Sequence, residues 1–203
     1  MERKKAGFFS LESGIALTEA LIVFPIMVTA VAVCIEFTNV MYQWNSAAKA
    51  MQLGVRKLIV SDPVTTGSLF DDTFTSDPAL AGELISADSS VQLVCGAGAA
   101  SPCDAVKMDR LVNGGGAGSV WPGLKAYYPA IEADIIRVTY ERSGLGYHGR
   151  PAGQVVTVRM DIVADPIDLP LLGSLLGLAG FNFPPFTVSA TSEDLCTDSG
   201  IGC

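Results

Sequence analysis

The sequence predicts an α+β fold in which one long N-terminal helix packs on an antiparallel β-sheet. Three observations carry this. An apolar run from Ile15 to Phe37 is long enough to cross a bilayer. An apolar stripe at steps of three and four continues beyond it to Leu58. Two segments near residues 136–162 then alternate apolar and polar with period two.

Residues 1–14 are short and polar, with Arg3, Lys4 and Lys5 as a basic cluster, and read as a leader. From Ile15 to Phe37 the chain is apolar except for Thr18, Glu19, Thr29 and Glu36, and as a helix it is roughly 34 Å long against a hydrocarbon core of ~30 Å. Pro25 lies inside it, and proline in a membrane helix usually produces a kink or local loosening. The stripe Phe37, Val40, Met41, Trp44, Ala48, Met51, Val55, Leu58 follows, with Asn39, Gln43, Asn45, Lys49, Gln52, Arg56 and Lys57 on the other positions. Asp62-Pro63 stops it, because the residue before proline is biased away from the α region. One helix over 15–61 is therefore predicted, about 70 Å long, with its transmembrane part at 15–37. The alternative is two helices broken near Asn39 or Asn45-Ser46.

Residues 62–203 read as a separate α+β domain with two cysteine loops. Asp77 can cap a short helix with Pro78 in its first position and Ala79–Ser86 following. Val91–Val94 reads as a strand entering the first cysteine loop, and Asp104 as the cap of a helix over Ala105–Val112, stopped by Asn113-Gly114. Gly114–Gly118 is a connector. In the first clear strand Ile136, Val138 and Tyr140 share a face; in the second Val156, Val158, Met160 and Ile162 do. Ser143–Gly153 joins them as a long loop. Ile167–Phe181 is apolar but interrupted by Pro170, Gly173, Gly177 and Gly180, too short and broken to span a bilayer, and reads as a core or interface segment. Phe186–Thr191 reads as a last strand.

Charge and cysteine usage orient the molecule. From Asp62 onward there are seven Lys/Arg against 17 Asp/Glu, a net charge of −10. A domain this acidic has no electrostatic footprint for nucleic acid. The basic cluster before the apolar run places the N-terminus in the cytoplasm and the rest of the chain outside. Cys34 falls in the apolar run as a reduced, inert thiol. The other four form two short-range pairs, Cys95 with Cys103 and Cys196 with Cys203, which an exported domain would oxidise. Four cysteines allow three connectivities, of which the two local bridges are favoured. Zinc is disfavoured, since no C-x₂₋₄-C spacing is present and His148 is distant.

Glu19 is the unusual residue of the N-terminus. A carboxylate inside a bilayer-spanning helix costs roughly 2.5–3.5 kcal/mol on insertion scales, so it points to a function. Ala30-Val31-Ala32 satisfies the small-x-small rule of a signal peptidase, but Glu19 and Pro25 would then interrupt the signal's core. A lipoprotein cut before Cys34 is disfavoured by Val33. The remaining reading is cleavage on the cytoplasmic side after Gly14, leaving the apolar helix on the mature chain.

Gly14 followed five residues later by Glu19, then Ala20-Leu21-Ile22-Val23-Phe24-Pro25, resembles the processing site of type IV pilins. It is most similar to the TadE-like minor pilins, or pseudopilins, of the tight-adherence (Tad/Flp) pilus system. Glu36-Phe37, Ala47-Ala48-x-x-Met51-x-x-Gly54-Val55-Arg56, the Val138–Gly146 stretch and Ser192-Glu193-Asp194-Leu195 resemble further features of that family. The resemblance touches both ends of the chain and leaves residues 63–130 uncovered. It implies a type IV pilin-like fold, a prepilin peptidase that cuts between Gly14 and Ile15, and a helix retained as anchor. It implies other pilins or pseudopilins and an inner-membrane assembly platform as partners, alongside the lipid bilayer, and a later place in the pilus at the cell surface. In that setting the freed amine of Ile15 would pair with a neighbour's Glu19; such a pair fixes register more than it adds stability.

Three motifs that suggest other chemistry read differently in context. Gly144-Leu145-Gly146-Tyr147-His148-Gly149 spells G-x-G-x-x-G, yet Arg150-Pro151 and a strand follow where a dinucleotide site needs a helix. His148 has no credible Ser or Cys partner for nucleophilic catalysis. Asp71, Asp72 and Asp77 could hold calcium but read better as a solvated acidic loop. No cofactor or metal is expected, and the chain is expected not to be an enzyme. The alternative to a pilus subunit is a membrane-anchored periplasmic binding or adhesion module that never polymerises.

Overall fold

The computed structural model describes residues 9–74, 76–99, 101–115, 120–150, 154–163, 169, 173 and 186–192. Helix α1 runs unbroken over Phe9–Leu58. It is followed by α2 (Gly67–Phe74), a 3-10 turn at Pro78–Leu80, strand β1 (Asp88–Gly96) and helix α3 (Ala105–Asn113). A 3-10 turn at Leu124–Ala126 leads into β2 (Ile136–Leu145), β3 (Val155–Ile162) and β4 (Phe186–Thr191). The strands form one antiparallel sheet in the order β1-β2-β3-β4. This is the α+β arrangement predicted. The chain divides into two compact units, and the boundary falls inside α1, between Tyr42 and Gln43. The second half of the helix thus belongs to the folded domain.

Within that domain α1 contributes Ala47, Ala50, Met51, Val55 and Leu58 to a core shared with Val138, Tyr140, Val158 and Met160. The helix lies close to the sheet at Gly54, where a Cβ would collide with the end of Met160 and stand 2.9 Å from Leu124 Cδ2. Trp44 packs edge-on against Phe186 of β4, with ring centroids 5.4 Å apart. The buried stripe is therefore not quite the predicted one. Phe37 and Met41 are exposed, and the inward face near residue 48 is Ala47 and Ala50, not Ala48. Small residues face the sheet because a close approach of backbones leaves no room for large ones. The helix also begins before Ile15 and ends at Leu58, not Ser61; Ile59 and Val60 already form a closing turn.

The sheet face follows the alternation. Val156, Val158, Met160 and Ile162 of β3 are all buried, as are Ile136, Val138 and Tyr140 of β2. The Tyr140 hydroxyl accepts the Val64 backbone N–H at 3.0 Å, and burial pushes its phenol pKa up. Phe70 of α2 stacks edge-on to the Tyr140 ring at 5.4 Å.

Four local expectations need correction. Helix α2 was not predicted at all; its Gly67, Asp71, Asp72 and Thr73 are poor helix formers, and packing of Leu69, Phe70 and Phe74 on the core holds it. The helix expected over Ala79–Ser86 is only a 3-10 turn, although Asp77 caps it as anticipated, accepting Ala79 N–H at 2.9 Å. It stops because Gly82 takes a positive φ of 90° and the chain turns to bond the β2–β3 connection, with Gly82 N–H donating to the His148 carbonyl at 2.9 Å. Strand β1 extends past Val91–Val94 in both directions, with a register irregularity between Asp88 and Gln92. At its start the Ser90 hydroxyl and then the Ser90 N–H hold the exposed Asp88 carboxyl below the usual range. Strand β2 consumes the first residues of the predicted loop, reaching Leu145 through an irregularity after Arg142, where Ser143 Oγ donates to the Val155 carbonyl at 2.6 Å. Helix α3 has the predicted cap: Asp104 accepts Val106 N–H at 3.0 Å and Lys107 N–H at 3.1 Å. Apart from Leu169 and Gly173, the Ile167–Phe181 segment lies outside the described residues, as does most of the Gly114–Gly118 connector.

Candidate functional site

Gly14, Ile15, Glu19 and Pro25 all lie on α1, in its part before Gln43, which belongs to the first unit. The helix here is long and apolar enough to cross a membrane, with a mean hydropathy of 2.4 in its most apolar window. Its large side chains face outward: Ile15 is 66% exposed and Phe24 70%, and Leu17, Leu21, Ile22, Ile26 and Met27 are similar. In a water-soluble protein such a surface is an association or membrane face.

Glycine lowers helix stability by about 1 kcal/mol against alanine, so a mid-helix glycine needs a reason. Gly54 has one in its contact with Met160 and Leu124. Gly14 has none of that kind, since a Cβ there meets nothing within 4 Å. The Gly14–Ile15 peptide sits inside helical backbone. Thr18 Oγ1 donates to the Ile15 carbonyl at 2.8 Å and reaches the Gly14 carbonyl at 3.3 Å. Glu19 is exposed and stands one turn beyond Ile15 on the same helix face, a rise of about 6 Å.

The helix runs through Pro25 without interruption. Proline has no N–H for the Leu21 carbonyl, and Thr29 Oγ1 donates to the Pro25 carbonyl at 2.7 Å. Cys34 is free and exposed on the same half-helix, and Glu36, a little further along, is buried at 2% exposure.

The first cysteine loop lies in the other unit. Cys95 of β1 and Cys103, just ahead of α3, form a disulfide across a Cα–Cα distance of 5.3 Å. The bridge, together with the Asp104 N–H donating to the Val64 carbonyl at 2.8 Å, ties the start of α3 to the sheet and to the segment after α1. Cys196 and Cys203 lie outside the described residues. Asp71 and Asp72 are on α2 while Asp77 caps a different element, so the three do not share one loop. His148 Nδ1 accepts the Asp77 N–H at 3.3 Å, which joins the β2–β3 connection to the Pro78 turn.

Residues 14–56 match a known protein family, described as TadE-like protein. The match spans about a fifth of the chain and coincides with α1 from Gly14 almost to its end. No curated protein and no solved structure matches the chain.

Sequence reasoning missed the close approach at Gly54, the Tyr140–Val64 bond and the burial of Glu36. A glycine inside an amphipathic stripe was the available signal for the first. The Tyr140–Val64 bond joins residues far apart in the chain, and no local pattern marks it or the burial of Glu36.

Proposed function

We propose that the protein is a non-enzymatic minor pilin, or pseudopilin, of a Tad-type pilus. It is made as an inner-membrane precursor and processed after Gly14. The observation that carries this is the exposed apolar half of α1, which bears Gly14 and Glu19 and continues directly into the helix of the domain core. The TadE-like match over residues 14–56 supports the same reading.

The geometry suggests how processing and assembly would work. A peptidase must draw the Gly14–Ile15 peptide out of helical backbone to reach its carbonyl. Glycine at position 14 makes that local unwinding easier and leaves no side chain in the way. Cleavage frees a cationic amine on Ile15, on the same face as Glu19 and one turn away. In lipid the two charges attract strongly, so each Glu19 has a partner only once an Ile15 amine exists, its own or a neighbour's. Assembly is thereby made conditional on processing. On the far side of the membrane, Ala47, Ala50, Met51, Val55 and Leu58 of α1 belong to the domain's own core.

The test is processing in a host carrying the prepilin peptidase. Gly14→Leu is expected to give a membrane-inserted chain that keeps its leader, whereas the unaltered chain loses it. Equal processing of both chains would contradict the proposal and favour a plain membrane anchor.

A further inference from the structure

The last turn of α1, the segment Ser61–Val64, helix α3 and Trp121 line a half-open pocket of about 280 Å³. Its wall carries Lys57, Lys107 and Arg110, three cations on one concave surface of a region that is net −10 from Asp62 onward. Basic residues commonly complement the carbonyls of a helix C-terminus, and Lys57 and Arg110 do stand in the last turns of α1 and α3. Lys107 does not fit that account. It lies in the first turn of α3, where the helix dipole disfavours a cation, and its Nζ donates to the Pro63 carbonyl at 3.1 Å with two further protons to offer.

The rest of the lining restricts the ligand. Leu58, Val64 and Leu111 are buried and apolar, and Trp121 is held in place by Nε1 donating to the Leu111 carbonyl at 3.0 Å. An apolar floor with an indole suits the CH face of a ring. Asp62 and Ser61 also line the pocket. A carboxylate there opposes a bare phosphate dianion and accepts hydroxyl groups. The volume of about 280 Å³ falls just below the ~300–1,000 Å³ range of ligand sites, which limits the occupant to about one ring.

We propose that this pocket binds a monosaccharide unit carrying a carboxylate, a hexuronate. The carboxylate meets Lys57, Lys107 and Arg110, the ring lies against Trp121, and the hydroxyls face Asp62 and Ser61. The proposal does not rest on the assembly reading, because an anchored module that never polymerises would carry the same pocket.

The test uses the full chain in a detergent without a sugar headgroup, titrated by calorimetry with sodium glucuronate, glucose and inorganic phosphate. Saturable glucuronate binding that weakens with added salt is expected, with glucose and phosphate each weaker. Arg110→Gln, at an exposed position, is expected to weaken glucuronate binding about tenfold while the melting temperature falls by no more than the few degrees that loss of a helix-terminal cation explains. Lys57→Gln serves as the second variant, with the same expectation. Absence of saturable glucuronate binding, binding indifferent to both variants, or phosphate binding as tightly as glucuronate would each overturn the proposal.

Discussion

Gly54 of α1 lies so close to Met160 of β3 that a single added carbon would overlap the methionine methyl. This contact sets how near the second half of the long helix can come to the sheet within the domain. Gly54→Leu is expected to destabilise the domain by roughly 1–3 kcal/mol through overpacking. Shortening the opposing side chain in Gly54→Leu/Met160→Ala should recover part of the loss. Chemical denaturation of the full chain in detergent, followed by fluorescence, measures both.

A second expectation concerns Tyr140, whose hydroxyl holds the buried Val64 N–H at 3.0 Å. Tyr140→Phe leaves that N–H without its acceptor and is expected to cost about 1–3 kcal/mol. The same residue gives a pH signature. Its folded-state pKa is raised, so above the ordinary tyrosine value of 10.0 the unfolded chain ionises while the folded one does not. Between those two values the folded state binds more protons, and stability falls as pH rises. Below pH 10 this contribution is fully present. Denaturation midpoints between pH 8 and about 11 should show a decline in the unaltered chain that is reduced in Tyr140→Phe.

The Cys95–Cys103 bridge closes a short loop, with a sequence separation of 8. By the loop-entropy relation it contributes about 2.5 kcal/mol. Replacing both cysteines by serine should lower stability by about that amount, as measured by denaturation under non-reducing conditions. A chain as stable as the original would mean that the Asp104 cap and the Asp104–Val64 bond hold the loop unaided.

These contacts also mark what the sequence could reveal. Local chemistry was legible: the Asp104 cap, the Asp77 cap, the period-two faces of β2 and β3 and the local Cys95–Cys103 pairing each follow from neighbouring residues. The long helix was legible too, because apolar residues at steps of three and four continue past the apolar run to Leu58. The misreadings share one cause, in that distant packing decides the outcome. Helix α2 forms against local propensity because Phe70 and Phe74 find the core, and the inward face of α1 shifts to Ala47, Ala50 and Gly54 because the sheet is near. At the candidate site Gly14 and Glu19 stood out by their chemistry, whereas the pocket around Lys107 and Trp121 arises from segments that meet only in the fold.

Glu19 is expected to act in assembly and not in insertion. Glu19→Ala should insert and be cleaved normally yet leave cells without pili, as judged by electron microscopy and by leader loss on gels. Normal piliation would show that no pair between Glu19 and a freed amine is needed.

The central claim is that the chain is cut after Gly14 and keeps its apolar helix. N-terminal sequencing together with the intact mass of the mature protein from the native membrane tests it most directly. A chain beginning at Ile15 is predicted. A chain beginning at Val33, after a signal peptidase cut, or one retaining Met1 and its leader, would contradict it.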